Sequence, residues 1–332
     1  MPFESHSKFK PRSTWTTEQA LALFNLPFND LLFEAQEIVR HNFKKNTIQV
    51  STLLSIKTGA CPEDCSYCPQ SIRFNTDIEK HDLLDLDSVK AAASKAKENG
   101  ATRFCLGASY RGPKDKDLVK IIDMIQYVKS IGLECCATLG LLKPHQADML
   151  SASGLDYYNH NLDTSKANYE KIISTRTYDD RINTLSEVRR SGMKVCCGGI
   201  IGMGEGVEDR ASLLVELANM DVQPESVPIN NLVAVRGTPL EDLSGSDHLD
   251  FVKMIAVARI LLPKSYVRLS AGRHAFTDEM QALCFFAGAN SIFYGDKLLT
   301  TTNPDENTDL TLFKKLGLSI EKIQDQSSPN LN

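Results

Sequence analysis

The sequence lacks the features of several protein classes. It contains no apolar stretch close to the roughly 20 residues that a membrane-spanning helix needs, and no apolar secretory signal near its start. Its 37 basic and 42 acidic residues give a formal net charge of −5, and no basic run provides the concentrated positive face that nucleic acids require. We therefore predict a cytoplasmic protein that binds no membrane and no nucleic acid.

A disulfide scaffold is also disfavoured. The nine cysteines are spread along 332 residues, whereas small disulfide-stabilised domains concentrate theirs in a short chain. A hydrophobic content of 42% and a charged content of 24% are typical of soluble globular proteins. We expect free thiols in this chain, and its length suits a single α/β barrel.

Eight apolar, strand-like runs recur along the chain, with helical patterns between them. The runs are STLLSIKTG, TRFCLGA, LECCATLG, LDYYNHNLD, KVCCGGIIG, ESVPINNLV, SYVRLSAG and NSIFYGD. Alternation of strands and helices predicts a parallel sheet, and eight units predict its closure into an α/β barrel of the TIM type, a (βα)8 barrel. An open, doubly wound sheet is the alternative.

The segments at both ends are predicted to lie outside the barrel. Residues 1–45 contain an N-terminal segment and short helices, and residues 46–300 form the barrel. Residues 301–332 contain a C-terminal helix followed by a polar tail that we expect to be disordered.

Three cysteines follow the first predicted strand, within KTGACPEDCSYCPQS. Cys61, Cys65 and Cys68 therefore lie at the C-terminal mouth of the barrel, where barrel enzymes carry their active sites. Thiolates bind zinc, copper(I) or iron–sulfur clusters, and a closed zinc site would need a fourth nearby ligand that this segment does not supply. Haem attachment needs a histidine after the last cysteine, and a thioredoxin-like dithiol gives Cys61 no role. The pattern favours a [4Fe–4S] cluster with one open iron over three unliganded cysteines.

The remaining cysteines separate into two groups, because side chains along a barrel strand alternate between the inside and the outside. The side chains with inward parity are Arg103, Cys105, Cys136, Cys196 and Arg268. A barrel interior normally contains Val, Ile and Leu, so these side chains predict a second metal site inside the barrel. Ordinary buried cysteines are the alternative, and we interpret Cys135, Cys197 and Cys284 as such packing residues.

Residues 57–71, KTGACPEDCSYCPQS, are called the mouth loop below. Tyr67 precedes its third cysteine, and C-x3-C-x2-C with this aromatic residue resembles the radical S-adenosylmethionine (SAM) superfamily. A closer resemblance, to the biotin synthase family, extends over about residues 35–318. The segments that carry it are SIKTGACPEDCSYCPQS, TRFCLGA, GLDYYNHNLDTS, TRTYDDR, ESVPINNL, YVRLSAGR and GANSIFYGDKLLTT. The related lipoyl synthases carry an additional N-terminal three-cysteine motif, which this sequence lacks.

The resemblance implies two clusters and one reaction. The implied ligands are Cys61, Cys65 and Cys68 for a [4Fe–4S] cluster, and Cys105, Cys136, Cys196 and Arg268 for a [2Fe–2S] cluster. The implied enzyme uses SAM as a radical source to insert sulfur between C6 and C9 of dethiobiotin, with the [2Fe–2S] cluster as sulfur donor. Another radical SAM barrel, of the mutase or maturase type, and a non-enzymatic iron–sulfur or zinc protein are the alternatives.

Contacts to SAM and substrate follow partly from side-chain chemistry and partly from the resemblance. The SAM candidates are Tyr67, Ala108, Asn161, Asp163, Arg181, Ile200 and Val233, and the substrate candidates are Asn159, Asn161 and Asn230. Asp163 can accept from ribose hydroxyls, and the resemblance assigns Arg181 to the SAM carboxylate and Ile200 to the adenine. The amide of Asn230 can pair with a cyclic urea. A hydrogen-bonded polar cap at Asp163 and a solvated helix arginine at Arg181 are the alternatives.

The partners rest on the resemblance alone. They are dethiobiotin, an external electron donor such as flavodoxin or ferredoxin, the iron–sulfur assembly machinery, and a second copy of the chain in a homodimer.

Overall fold

A computed structural model describes residues 9–12, 14–295 and 297–322. The polar tail at 324–332, which the sequence predicts to be disordered, and the first eight residues lie outside this range. Two helices precede the barrel, α1 (Thr17–Phe24) and α2 (Phe28–Asn42).

The barrel has eight strand positions, one of which is split in two. The strands are β1 (Thr47–Lys57), β2 (Arg103–Ala108), β3 (Glu134–Thr138), β4 (Tyr157–Asn159), β5 (Lys194–Cys196), β6 (Gly199–Ile201), β7 (Ser226–Asn231), β8 (Tyr266–Leu269) and β9 (Ser291–Phe293). β5 and β6 share the fifth position, since both pair with β7. Neighbouring strands are parallel, and pairing of β1 with β9 closes the sheet. The predicted (βα)8 barrel is confirmed, and the open-sheet alternative is wrong.

Helices alternate with the strands around the outside. They are α3 (Leu86–Glu98), α4 (Asp115–Ser130), α5 (Pro144–Ala152), α6 (Lys166–Ile172), α7 (Tyr178–Arg190), α8 (Val207–Ala218), α9 (His248–Leu261), α10 (Asp278–Phe286) and α11 (Glu306–Leu316). Polar caps fix where several of them begin, because a side-chain oxygen satisfies a free backbone N–H. Asp85, for example, accepts from the backbone N of Ser88 at 2.7 Å before α3.

α9 explains why the two N-terminal helices belong to the fold. Its sequence, HLDFVKMIAVARIL, is apolar around most of its circumference, so one contact face would leave much of it exposed to water. α1, α2, α8 and α10 all pack against it, and its second half is buried.

The strand register separates an apolar outer layer from a polar interior. Phe104, Leu106 and Cys135 belong to the main hydrophobic core between strands and helices. Cys105, Cys136, Tyr157 and Cys196 form a separate buried cluster. Cys105 lies opposite Cys136 in the pairing of β2 with β3, so these two thiols share one level of the barrel. The predicted inward and outward parities are therefore confirmed.

A short hairpin at the mouth was not predicted from the sequence. It consists of β10 (Lys297–Leu298) and β11 (Thr301–Thr302), which pair antiparallel. Leu299, in the turn, has a φ of 44°, and its Cδ2 atom lies 2.5 Å from where a Cβ at Gly107 would be. Gly107 therefore leaves the space on β2 that Leu299 fills.

The C-terminal part of the described chain returns to the barrel. α11 is followed by β12 (Ser319–Ile320), which pairs parallel with β1. Within the described ranges, no helix is both long enough and apolar enough to cross a bilayer.

Candidate active site

A cavity of about 310 Å³ opens at the C-terminal mouth and reaches into the barrel. Its lining includes every residue that the sequence analysis assigned to a cluster, to SAM or to the substrate. The three cysteines predicted to be packing residues, Cys135, Cys197 and Cys284, are instead buried in the hydrophobic core. The fold therefore brings two distant sets of cysteines to one cavity.

The mouth loop turns sharply after β1. Gly59 and Ala60 both adopt the left-handed backbone conformation, with φ of 81° and 53°. The backbone N of Cys61 then donates to the carbonyl of Gln70 at 3.0 Å, and the N of Cys68 donates to the carbonyl of Cys65 at 2.9 Å. These bonds close the loop on itself and stabilise the backbone that carries its three thiols.

Burial raises the pKa of all three thiols in the mouth loop, and that of Cys68 to about 12. The free side chains are therefore neutral at neutral pH, and bound iron would supply the positive charge that converts them to thiolates. Among the described residues, no group of three or more His, Cys, Asp or Glu side chains is arranged around a single metal ion. Three thiol donors without a fourth fit a four-iron cluster, which would keep one iron open here.

The loop between α6 and α7 fastens the mouth loop. The carboxylate of Asp64 accepts from the backbone N of Ser174 at 3.0 Å and of Thr175 at 3.1 Å. Burial alone would raise the pKa of Asp64, but hydrogen bonds from these two residues outweigh it and lower that pKa to about 2. The two loops are thus held together by an ionised carboxylate.

Four of the SAM candidates form one hydrogen-bonded group. The carboxylate of Asp163 accepts from the hydroxyl of Tyr67 at 2.6 Å and from the guanidinium of Arg181. Arg181 also donates to the hydroxyl of Tyr169 at 2.7 Å and to the carbonyl of Asn161. All three nitrogens of Arg181 are therefore engaged inside the protein, and SAM would have to share or replace some of these bonds.

The substrate candidates are likewise bonded to the protein. Asn159 accepts from the hydroxyl of Thr138 at 3.1 Å and donates toward Sγ of Cys196 at 3.3 Å. Asn230 donates to the carbonyl of Gly199 at 2.9 Å and accepts from the backbone N of Ala271 at 3.1 Å. The amide of Asn230 thus ties together β6, β7 and the end of β8, a structural role that the sequence analysis did not predict.

The interior thiols have a different electrostatic environment. Hydrogen bonding with Cys136, followed by the positive charge of Arg268, lowers the pKa of Cys105 and of Cys196 despite their burial. The same hydrogen bonds raise the pKa of Cys136, which is the donor in both. Three thiols, two of them with a lowered pKa, lie beside a guanidinium and form a donor set that fits iron.

Arg268 is held by neutral side chains alone among the described residues. Its Nε donates to Oγ of Ser291 at 2.9 Å, and its Nη2 donates to Oε1 of Gln49 and Oγ of Ser51, each at 3.1 Å. Its Nη1 is buried and has no hydrogen-bond partner in the described chain. An unpaired buried polar atom is costly, so this nitrogen fits the fourth ligand position of a [2Fe–2S] cluster.

Sequence reasoning missed several residues of this cavity. Leu299, Thr300 and Thr301 line it from the hairpin, although they lie in a segment that carries the family resemblance. Arg176 lines it from the loop before α7, within the quoted TRTYDDR segment, from which only Arg181 had been selected. Gln49, which does not line the cavity but accepts from Arg268, had no sequence signal because a lone glutamine in an apolar strand predicts nothing specific.

Comparison with known proteins gives two family matches along the chain. Residues 55–217 match the radical SAM superfamily, and residues 228–319 match the Biotin and Thiamin Synthesis associated domain. Proteins named biotin synthase from Marinobacter nauticus and Vibrio cholerae are 61% and 60% identical to the chain. Each alignment covers 94% of this chain, with 88% and 89% of the respective relative.

Solved structures share the fold at lower sequence similarity. Methylornithine synthase has a TM-score of 0.79 at 21% identity, covering 93% of this chain and 94% of its own. The FeFe-hydrogenase maturase HydG from Carboxydothermus hydrogenoformans has a TM-score of 0.80 at 15% identity, covering 92% and 76%. At such identities the likeness concerns the barrel fold alone.

Proposed function

The chain belongs to the biotin synthase family of radical SAM enzymes, and we propose how its residues divide the work of that reaction. The reaction inserts sulfur between C6 and C9 of dethiobiotin to give biotin. Both carbons are saturated and their hydrogens are not acidic, so a side-chain base cannot activate them and a cofactor-derived radical is needed. The observation that carries the proposal is a single cavity lined by both cysteine sets.

The mouth loop would hold the [4Fe–4S] cluster through Cys61, Cys65 and Cys68. When bound there, this cluster would supply the electron that reductively cleaves SAM. Asp163 would accept from the ribose hydroxyls of SAM, and Arg181 would pair with its carboxylate. Tyr67 already donates to Asp163 at 2.6 Å, so it fixes the carboxylate in the orientation that ribose would meet.

The nucleoside end of SAM has further candidate contacts around the cavity. They are Ala108, Asn161, Ile200 and Val233, all of which line it. Ile200 offers an apolar surface to the adenine ring, whereas the other three offer backbone or amide groups.

The barrel interior would hold the [2Fe–2S] cluster, which is consumed as the sulfur donor. Its proposed ligands are Cys105, Cys136, Cys196 and Nη1 of Arg268. Asn159 lies beside this set, 3.3 Å from Sγ of Cys196, and would present its amide to the ring of dethiobiotin together with Asn161 and Asn230. The apolar side chains of Leu53, Phe293 and Leu299 line the same cavity and would exclude water from a radical intermediate.

We also propose the partners that this chemistry requires. An external one-electron donor such as flavodoxin or ferredoxin would reduce the mouth cluster, and the iron–sulfur assembly machinery would rebuild the interior one. A homodimer in the cytoplasm is the proposed working form.

The test is anaerobic reconstitution followed by reaction with SAM, dethiobiotin and a reductant. We expect iron and sulfide contents that account for both clusters, and both 5′-deoxyadenosine and biotin as products. If the clusters are reconstituted with sulfide of a heavy sulfur isotope, mass spectrometry should detect that isotope in the biotin formed. Cys65→Ala should abolish both products because it removes a mouth ligand.

Cys284→Ala is the matched control, since this buried cysteine packs in the core from α10. It should retain both products once the folded fraction is equalised. Stoichiometric zinc with little iron or sulfide after reconstitution, or undiminished 5′-deoxyadenosine from Cys65→Ala, would contradict the proposal.

A further inference from the structure

A second arginine at the mouth contacts a cysteine of the mouth loop. Nη2 of Arg176 lies 3.5 Å from Sγ of Cys65, within hydrogen-bond distance for sulfur. The Arg176 side chain is 9% exposed, so the surrounding protein separates its charge from most of the solvent. No role for this residue follows from the ligand assignments above.

The position of Arg176 is fixed by its neighbours. Nε of Arg176 lies 3.8 Å from the carboxylate of Glu63, a residue within the mouth loop itself. Thr175, immediately before it, donates its hydroxyl to the same carboxylate and its backbone N to Asp64. Arg176 is therefore attached to the part of the mouth loop that immediately precedes Cys65.

Arg176 differs from Arg181 in having a hydrogen-bond donor, Nε, that the described protein leaves unpaired. Nε of Arg176 is buried and has no hydrogen-bond partner in the described residues, whereas every nitrogen of Arg181 is engaged. Arg176 is also the arginine whose guanidinium contacts Cys65, since its Nη2 lies 3.5 Å from that sulfur.

We propose that Arg176 is a positioning residue for the [4Fe–4S] cluster, donating an N–H···S hydrogen bond to Cys65 and stabilising the reduced cluster. The inference rests on the proposed function, since it assumes that cluster on the mouth loop. Reduction by one electron adds one negative charge to the cluster, and a nearby buried cation stabilises the reduced form more than the oxidised form. Hydrogen bonds to cluster sulfurs act in the same direction, and they are among the determinants of cluster potential.

The test is a redox titration of the reconstituted protein, followed by low-temperature EPR of the reduced [4Fe–4S] cluster without SAM or dethiobiotin. In Arg176→Met we expect the ratio of reduced to oxidised cluster at a fixed potential to fall about tenfold, a shift of about 59 mV to lower potential. Arg176→Lys keeps a positive charge and should fall between Arg176→Met and the unmodified protein.

Arg111→Met is the matched control, because it also removes a positive charge from beside Glu63 of the mouth loop. Arg111 pairs with Glu63 at 2.9 Å but is 47% exposed and makes no hydrogen bond to a cysteine among the described contacts. We expect the potential of the [4Fe–4S] cluster in Arg111→Met to stay close to that of the unmodified protein.

Equal potentials in Arg176→Met and the unmodified protein, or an equal shift in Arg111→Met, would overturn the proposal. If Arg176→Met does not retain four irons, the cluster potentials of Arg176→Gln and Arg176→Lys are compared by the same titration. A lower potential for glutamine than for lysine supports the proposal, and identical values refute it. Failure of the unmodified protein to assemble any four-iron cluster would instead refute the proposed function, so the two outcomes are distinguishable.

Discussion

Two adjacent cysteines, Cys196 and Cys197, test the barrel register directly. Cys196 ends β5 in the interior cluster with Cys105 and Cys136, whereas Cys197 belongs to the core between the strands and the helices. The same conservative change, cysteine to serine, should therefore have opposite consequences at the two positions.

At Cys197 the expected consequence is a loss of stability. Its side chain is fully buried, and an unpaired hydroxyl in such a layer costs about 1–3 kcal/mol. A change of 1 kcal/mol corresponds to a fall in melting temperature of about 2 °C for a chain of this size.

At Cys196 the expected consequence is a loss of chemistry. Its pKa is lowered by hydrogen bonding with Cys136 and then by Arg268, which prepares a thiolate that a serine hydroxyl cannot replace. Cys196→Ser should keep the four-iron cluster and form 5′-deoxyadenosine, but yield little biotin.

The assay compares both variants with the unmodified protein under identical reducing conditions. Iron and sulfide are counted, 5′-deoxyadenosine and biotin are quantified, and melting is followed by circular dichroism on the metal-free proteins. If Cys197→Ser stays folded yet loses biotin formation while Cys196→Ser retains it, the assignment of interior and exterior side chains on β5 is wrong.

Three further changes separate binding from stability. Asp163→Asn should weaken SAM binding about tenfold or more, since hydrogen bonds to a charged group contribute about 1.5–3 kcal/mol. Calorimetric titrations with each ligand should show a smaller loss of affinity for dethiobiotin than for SAM. Asn230→Ala should weaken dethiobiotin binding and also lower the melting temperature, because its amide bonds to two backbone groups; unchanged dethiobiotin affinity would restrict it to the structural role. Asp309→Ala should destabilise the protein by about 3–5 kcal/mol, because it leaves Arg273 buried without its ion-pair partner at 2.7 Å, and an unchanged melting temperature would contradict this.

The architecture could be predicted because two periodicities agree along the chain. Each strand-like run is followed by a helical pattern, which restricts the sheet to parallel pairing, and eight such units fill a barrel. Alternation within a strand then distinguished Cys105, Cys136 and Cys196 from their neighbours Cys135 and Cys197. These are local properties of consecutive residues, so they are visible in the sequence.

The features that could not be predicted depend on contacts between distant segments. The hairpin at 297–302 has strands of two residues, too short for alternation to be recognised, and Leu299 packs into a space left by Gly107 on another strand. The bond from Thr175 to Asp64 joins loops more than a hundred residues apart. Likewise, the engagement of the Asn230 amide by Gly199 and Ala271 follows from how three strands end, and no single segment encodes it.

The two interior arginines illustrate how such contacts decide chemistry that residue type leaves open. Arg103 donates through Nε and Nη2 to the carboxylate of Glu134, at 3.1 and 2.8 Å. Burial would lower the pKa of Arg103, but Tyr157 and Glu134 outweigh it and raise that pKa, which keeps the guanidinium protonated.

Arg268 has neutral partners instead, in Gln49, Ser51 and Ser291. A guanidinium nitrogen can bind iron only through a lone pair, and a nearby carboxylate would oppose the loss of the proton that this requires. Both arginines have inward parity, and both have a buried Nη1 that lacks a hydrogen-bond partner in the described chain. The carboxylate beside Arg103 therefore makes Arg268 the better candidate for a metal ligand and leaves Arg103 as a permanent cation near the same cysteines.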